Sequence, residues 1–302
     1  MMLHEDRDLF EKVVLDTAEK YGIVPVIIEK DYYVTLFLKE ILSIQPNIIF
    51  KGGTSLSKCY HIINRFSEDI DLNIDIEQKP TEGQRKSLVN CVRDSIGNLG
   101  FTLKNTDEIH SRREYNRFEI DVNSIFSSEY IKRDLIVETA VFFRAYPIER
   151  LEVTSYIFEY LKSINKEEII DMFDLKPFEI QVQALERTFI DKLFAICDYY
   201  LSDNIDEHSR HLYDLYKISE RITINDSLKQ LFHVVREERK KRKTCVSAQD
   251  GINIRDCIME IISKDVFKKD YEAITKPLIF DNVQYETVKK NLKNIVDSDL
   301  FI

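Results

Sequence analysis

Apolar residues between Arg7 and Leu42 fall on two turn-spaced stripes, Phe10, Val13, Val14 and Tyr21, then Tyr33, Phe37, Leu38 and Ile41. That spacing predicts two amphipathic helices, with Gly22 and Pro25 punctuating the join. The period then changes. Asn47-Ile48-Ile49-Phe50 has strand character, Leu56 to Ile63 returns to helix, and Asp69 to Ile76 alternates strictly. There Ile70, Leu72, Ile74 and Ile76 stand against Asp69, Asp71, Asn73 and Asp75, the pattern of a strand with one face buried. A further helix is predicted over Ser87–Leu99 and strands over Phe118–Val122 and Leu135–Val141. From Val153 onward nearly every segment has helical spacing, as in Val182, Leu185, Phe189, Leu193, Ile196 and Tyr200. These patterns predict an α+β fold, with a small mixed sheet and its helices in residues 1–150. A helical half, residues 151–302, is expected to close over the sheet's cleft.

Composition narrows the class. Hydrophobic residues make up 44% and charged residues 32% of 302 residues, the profile of a globular protein with a substantial core. Only 7 glycines and 6 prolines favour helices over tight turns. The five cysteines (Cys59, Cys91, Cys197, Cys245 and Cys257) are scattered with no CxxC pair, which argues against a disulfide framework or a structural zinc site. No apolar run approaches the roughly 20 residues that span a bilayer, and the first residues lack a signal core, so a cytoplasmic protein is expected. A net charge of −10 excludes diffuse adhesion to nucleic acid, so any such contact needs a local basic patch.

Two constellations carry chemistry. Lys51-Gly52-Gly53-Thr54-Ser55-Leu56-Ser57-Lys58 follows a strand and opens a helix. Glycines there allow close approach of phosphate, and the helix N-terminus favours it; Thr54 or Ser55 serving only as a helix cap is the plainer alternative. Arg65-Phe66-Ser67-Glu68-Asp69-Ile70-Asp71-Leu72 follows at short range. Asp69 and Asp71 stand at i and i+2 on a strand, so both carboxylates share a face. Two such carboxylates repel unless a cation compensates, and Mg²⁺ or Mn²⁺ bridging the phosphates of an NTP would do so. An exposed polar strand face is the alternative, and Asn73 and Asp75 continue that face.

Together these segments resemble the polymerase-β-type nucleotidyltransferase signature, and more narrowly that of AbiEii/AbiGii-type toxins of bacterial type IV toxin–antitoxin and phage-defence systems. Ile28-Glu29-Lys30-Asp31-Tyr32-Tyr33-Val34-Thr35 also resembles the helix that precedes the signature in that family. The resemblance implies a polymerase-β-like core that moves a nucleoside monophosphate from an NTP to an acceptor, such as the 3′ end of tRNA. It also implies a cognate antitoxin encoded nearby. It implies that Asp69 and Asp71 hold metal, and that Gly52, Gly53, Thr54, Ser55, Lys58, Arg65, Ser67 and Lys192 hold the nucleotide.

A third carboxylate on a neighbouring strand is implied as well. Glu119, Asp121 and Glu138 all qualify by position, and the resemblance favours Glu138, with Asp121 next. Glu138 interrupts the apolar run Leu135–Phe143, where a lone acid is costly to bury unless it binds something. Lys192 falls on the edge of its helical stripe, able either to snorkel to water or to project into a cleft. Thr188-Phe189-Ile190-Asp191-Lys192-Leu193 resembles the family's catalytic-lysine helix. Asp214 is expected to be exposed by periodicity, with Arg210 four residues earlier as its partner. Only the resemblance of Arg210-His211-Leu212-Tyr213-Asp214-Leu215-Tyr216 to the family's Arg-x-x-x-Asp-Leu-Tyr segment makes Asp214 a site residue.

Arg236-Glu237-Glu238-Arg239-Lys240-Lys241-Arg242-Lys243 is the one dense basic run. It reads either as a solvated helix face or as an RNA contact through Arg236, Arg239, Lys240, Lys241, Arg242 and Lys243. A small-molecule acceptor, or a silent nucleotide-binding regulator, are the rival functions. The basic run speaks against the first, and the full set of acids with Lys192 against the second.

Overall fold

The computed structural model describes residues 1–65, 67, 69–75, 80–128 and 131–301. The chain divides into two compact units, Met1–Tyr60 with Ser67–Val182, and His61–Phe66 with Gln183–Ile302. The boundary therefore lies near residue 182, and not near 150. The strands that follow residue 147 complete the sheet of the first unit and move the division.

In that unit, helix α1 (Arg7–Tyr21) starts where the Asp6 carboxylate accepts from the Leu9 N–H, and stops at Gly22 in the left-handed conformation. Helix α2 (Pro25–Ile44) opens on Pro25, whose fixed φ and missing N–H suit a first turn. Strand β1 (Ile48–Lys51), short helix α3 (Gly52–Lys58) and strand β2 (Asp69–Ile74) follow. The predicted strand end at Ile76 lies outside the described residues. Helix α4 (Glu82–Asn98) begins in a capping box between Thr81 and Gln84. Strands β3 (Thr102–Leu103), β4 (Tyr115–Asp121), β5 (Leu135–Ala140) and β6 (Ile148–Val153) come next. Helices α5 (Tyr156–Ser163) and α6 (Glu167–Met172) lead to strand β7 (Phe178–Gln183).

The seven strands form one mixed sheet in the order β3-β4-β5-β2-β1-β7-β6. β2 runs antiparallel to β1 and parallel to β5, so the alternating segment lies at the centre. Its apolar face enters the core: Ile70 and Leu72 are fully buried with Phe37, Leu38, Phe50, Phe118 and Val137. Asn73 departs from the expected polar face. It is buried, donates to the Phe143 carbonyl at 2.8 Å and accepts from the Ile74 N–H.

The second unit is helical: α7 (Leu185–Leu201), α8 (Arg210–Ser219), α9 (Asp226–Lys240), α10 (Ile254–Ser263), α11 (Lys268–Asp270) and α12 (Tyr285–Val296). α8 packs on α7 and α12, and α10 on α7 and α12. Leu193, Phe194, Tyr213, Leu215, Phe232 and Leu292 are buried among them. No helix among the described residues is long and apolar enough to cross a membrane.

Candidate active site

Sheet register builds the first group of site residues. Lys51 pairs with Asp71, Asp71 with Glu138, and Glu138 with Arg117. Residues directly opposite one another point to the same face, so four adjacent strands carry a row that reads cation, carboxylate, carboxylate, cation. Asp69, two residues before Asp71, lies on that face as well. The Arg117 guanidinium donates to Glu138 Oε1 at 2.8 Å, which explains how an acid is tolerated in an apolar run. Tyr115 stands beside them: burial, and then the Glu138 charge and hydrogen bond, push its hydroxyl well above the usual phenol range. Lys51, Arg117 and Tyr115 were not singled out from the sequence as site residues. Only pairing across strands distant in the chain reveals them.

Among the alternatives for the third acid, Asp121 sits at the far end of β4 opposite Thr102, where it accepts from the Asn123 N–H at 2.9 Å in a turn. Glu119 lies opposite Ile136, 3.5 Å from Arg117. Only Glu138 stands in register with Asp71.

The glycine segment is a helical first turn and not a loop. Gly52 opens α3 at φ +78°, and a Cβ built on it would meet Asp71 Oδ2 at 1.9 Å. Glycine is required on both grounds. Lys51 occupies the cap position with no side-chain hydrogen bond, so Thr54 and Ser55 do not serve as caps. The Thr54 hydroxyl instead donates to the Asp69 carbonyl at 2.6 Å and lies 3.0 Å from the Ser67 hydroxyl. Ser55 donates to the Gly52 carbonyl at 2.8 Å. Thr54 thus sews the turn to the start of β2, which fixes where Asp69 and Asp71 begin, while Ser55 closes the turn on itself. Gly53 lies in the first turn of the same helix.

Lys58, expected at the nucleotide, is buried and donates to Asp31 Oδ1 at 2.5 Å and to the Asp31 carbonyl at 3.3 Å. Asp31 in turn accepts from the Tyr156 N–H at 2.9 Å. This pair ties α3 to α2, so Lys58 is a structural cation. Glu29 of the same upstream segment is fully buried, and accepts from the Ser124 hydroxyl and the N–H groups of Ile125 and Phe126. The segment 28–35 therefore braces the unit.

The second unit holds a group of its own, built around Asp214. Asp214 is fully buried, contrary to the exposure that periodicity predicts. Arg65 grips it bidentately, Nε to Oδ1 and Nη2 to Oδ2, both at 2.7 Å. The Lys192 ammonium donates to Oδ2 at 2.7 Å. Burial works against the charge, but Arg65 and then Lys192 override it and hold the carboxyl far below the ordinary carboxylate range. Two cations around one carboxylate, and not Arg210, are what make a buried Asp214 possible. Lys192 is itself only 6% exposed, so it does not snorkel to water. Burial lowers its pKa, with Asp214 opposing. Arg65, expected at the nucleotide, is committed to Asp214 through Nε and Nη2, two of its three guanidinium nitrogens.

The basic run divides. Arg239 is buried, 3.1 Å from Asp191 and 3.2 Å from Asp198, which withdraws it from any RNA contact. Arg236 donates to the Ile252 carbonyl at 2.6 Å, and Lys240 pairs with Asp250 at 2.5 Å. Lys241 and Lys243 are exposed, with Arg242 partly so between them.

Hard carboxylate oxygens on one face suit Mg²⁺ or Mn²⁺ better than softer metals. Among the described residues no three acidic, histidine or cysteine side chains close on one point. The donor set of Asp69, Asp71 and Glu138 fits in chemistry and in register, with Glu138 held by Arg117.

Comparison with known proteins agrees. No curated relative matches the sequence. Among solved structures, MenT4, a nucleotidyltransferase toxin from Mycobacterium tuberculosis H37Rv, is similar in fold at TM-score 0.52 and 18% identity, covering 94% of this chain and 98% of its own. The model of the family "Nucleotidyl transferase AbiEii toxin, Type IV TA system" matches residues 37–294, and the chain belongs to that family of nucleotidyltransferase toxins.

Proposed function

We propose that this toxin transfers a nucleoside monophosphate from an NTP to the 3′ end of a tRNA in a metal-dependent reaction. The row Lys51–Asp71–Glu138–Arg117, with Asp69 on the same face, carries the reading. Asp69, Asp71 and Glu138 would hold Mg²⁺ or Mn²⁺. Such a metal supplies a Lewis acid for phosphoryl oxygens and for the attacking hydroxyl. The reaction is in-line attack by an acceptor hydroxyl on the α-phosphate: a new P–O bond forms and the bond to pyrophosphate breaks. Gly53 lets phosphate approach the backbone, and Gly52 makes room for the Asp71 carboxylate. Ser55 closes the turn, and Thr54 with Ser67 holds that turn against β2. Lys192 offers its ammonium to the triphosphate, and Asp214, anchored by Arg65, sets where that ammonium stands.

Exposed Lys241 and Lys243, beside Arg242 in a chain of net charge −10, support an RNA acceptor. The setting is the bacterial cytoplasm, in phage defence, with a cognate antitoxin restraining the enzyme. The internal commitment of Arg236, Arg239 and Lys240 favours one second reading, a small-molecule acceptor. Incubation with each labelled NTP, Mg²⁺ and total RNA, followed by sizing, separates the two. Label in the tRNA fraction, lost with EDTA, is expected. Label confined to small molecules would replace the tRNA reading.

A further inference from the structure

His211 lies beside the lysine and belongs to a stack of rings that no role above explains. Tyr199 of α7 stacks on His208 with centroids 3.5 Å apart and planes 4° from parallel, and on His211 at 5.7 Å and 9°. At the inner end, His211 Nδ1 stands 3.2 Å from Lys192 Nζ. An ammonium has three donors and no acceptor, so Nδ1 must accept, and the ring proton must sit on Nε2. Asp214 takes a second N–H at 2.7 Å, which leaves one without an acceptor among the described residues. Two acceptors on different groups fix the position of a nitrogen at the end of a flexible stem, where one would let it swing.

We infer that His211 is a positioning residue, whose unprotonated Nδ1 shares the Lys192 ammonium with Asp214 and leaves its remaining N–H for a phosphate oxygen. Burial, then Lys192 and Arg210, hold the His211 pKa well below the usual histidine value, so the acceptor persists at neutral pH. The ring stack holds the imidazole plane, and thus the direction of the Nδ1 lone pair. The inference rests on Lys192 meeting the triphosphate.

Two substitutions separate this role from simple filling of space. His211→Phe keeps a ring for Tyr199 but removes the acceptor; His211→Asn loses the ring but keeps an acceptor near the Nδ1 position. With labelled NTP, Mg²⁺ and total RNA, His211→Phe should lower kcat by about tenfold or more with KM little changed. His211→Asn should recover most of that loss. The reverse order, Phe active and Asn inactive, would overturn the inference. Lys192→Ala is the control: normal turnover there removes the lysine reading, and this one with it. Nitrogen-edited NMR of the wild-type histidine rings needs no variant. It should find the Nε2–H tautomer at His211, and an Nδ1–H tautomer would refute the proposal.

Discussion

The Asp71 carboxylate occupies the space in which any residue but glycine at position 52 would carry its Cβ, 1.9 Å from Oδ2. Gly52→Ala must therefore displace Asp71, and it also strains a backbone at φ +78°. Stability should fall by about 1 kcal/mol or somewhat more. Nucleotide transfer should fall by about a hundredfold, because a misplaced reacting group is costly. Near-normal transfer by Gly52→Ala at unchanged thermal midpoint would show that Asp71 has no fixed place in the chemistry.

Asp71 and Asp214 should part company on substitution. Asp69→Ala or Asp71→Ala removes one of two neighbouring carboxylates that repel, so label transfer should vanish with the melting temperature nearly unchanged. Asp214→Ala strands two buried cations, Arg65 and Lys192. Its cost should be about 3–5 kcal/mol in urea unfolding. Equal stability of the two variants would contradict the assignment of one carboxylate to chemistry and the other to a buried ion triad.

Much of this was visible in the chain and some was not. The alternation from Asp69 placed β2 correctly, and the two glycines marked a turn that truly needs one of them. Periodicity misreads Asp214 because the position falls away from the apolar stripe of its helix, while one of the two cations that neutralise it, Arg65, is 149 positions away. β7 alternates Phe178, Ile180 and Val182 against Glu179, Gln181 and Gln183, but the helical stripe starting at Val182 overran it. Glu138 could be suspected from its apolar run, yet its tie to Arg117 exists only in the paired sheet.

The basic run should separate by residue. Arg239→Ala leaves Asp191 and Asp198 short of a buried partner and should lower stability by a few kcal/mol with no specific effect on RNA. Lys241→Ala and Lys243→Ala should leave the melting temperature alone. If each contacts a phosphate, each should flatten the log–log salt dependence of RNA binding by nearly one unit. An unchanged slope in the double variant would place the RNA surface elsewhere.

Stability should decline as pH drops below neutrality. Burial lowers the pKa of His4, His208 and His211, so in the folded chain each resists a proton that the unfolded chain accepts near pH ~6.5. Below that value the unfolded state binds more protons and gains. Asp214, held far down despite its burial by Arg65 and Lys192, adds a second decline that begins near pH ~4. Urea midpoints should fall in these two windows, and a flat profile through the first would show that the histidines titrate normally.

The residues 61–66, which leave the first unit and return to it at Ser67, make the second unit non-contiguous. A fragment cut at Gln183 would retain Lys192, His211 and Asp214 but lose Arg65, and its buried carboxylate would face a single cation. No one peptide bond separates the two modules. Gene fusion or truncation at a single junction could neither assemble nor discard the helical unit intact, so the two must be inherited as one piece.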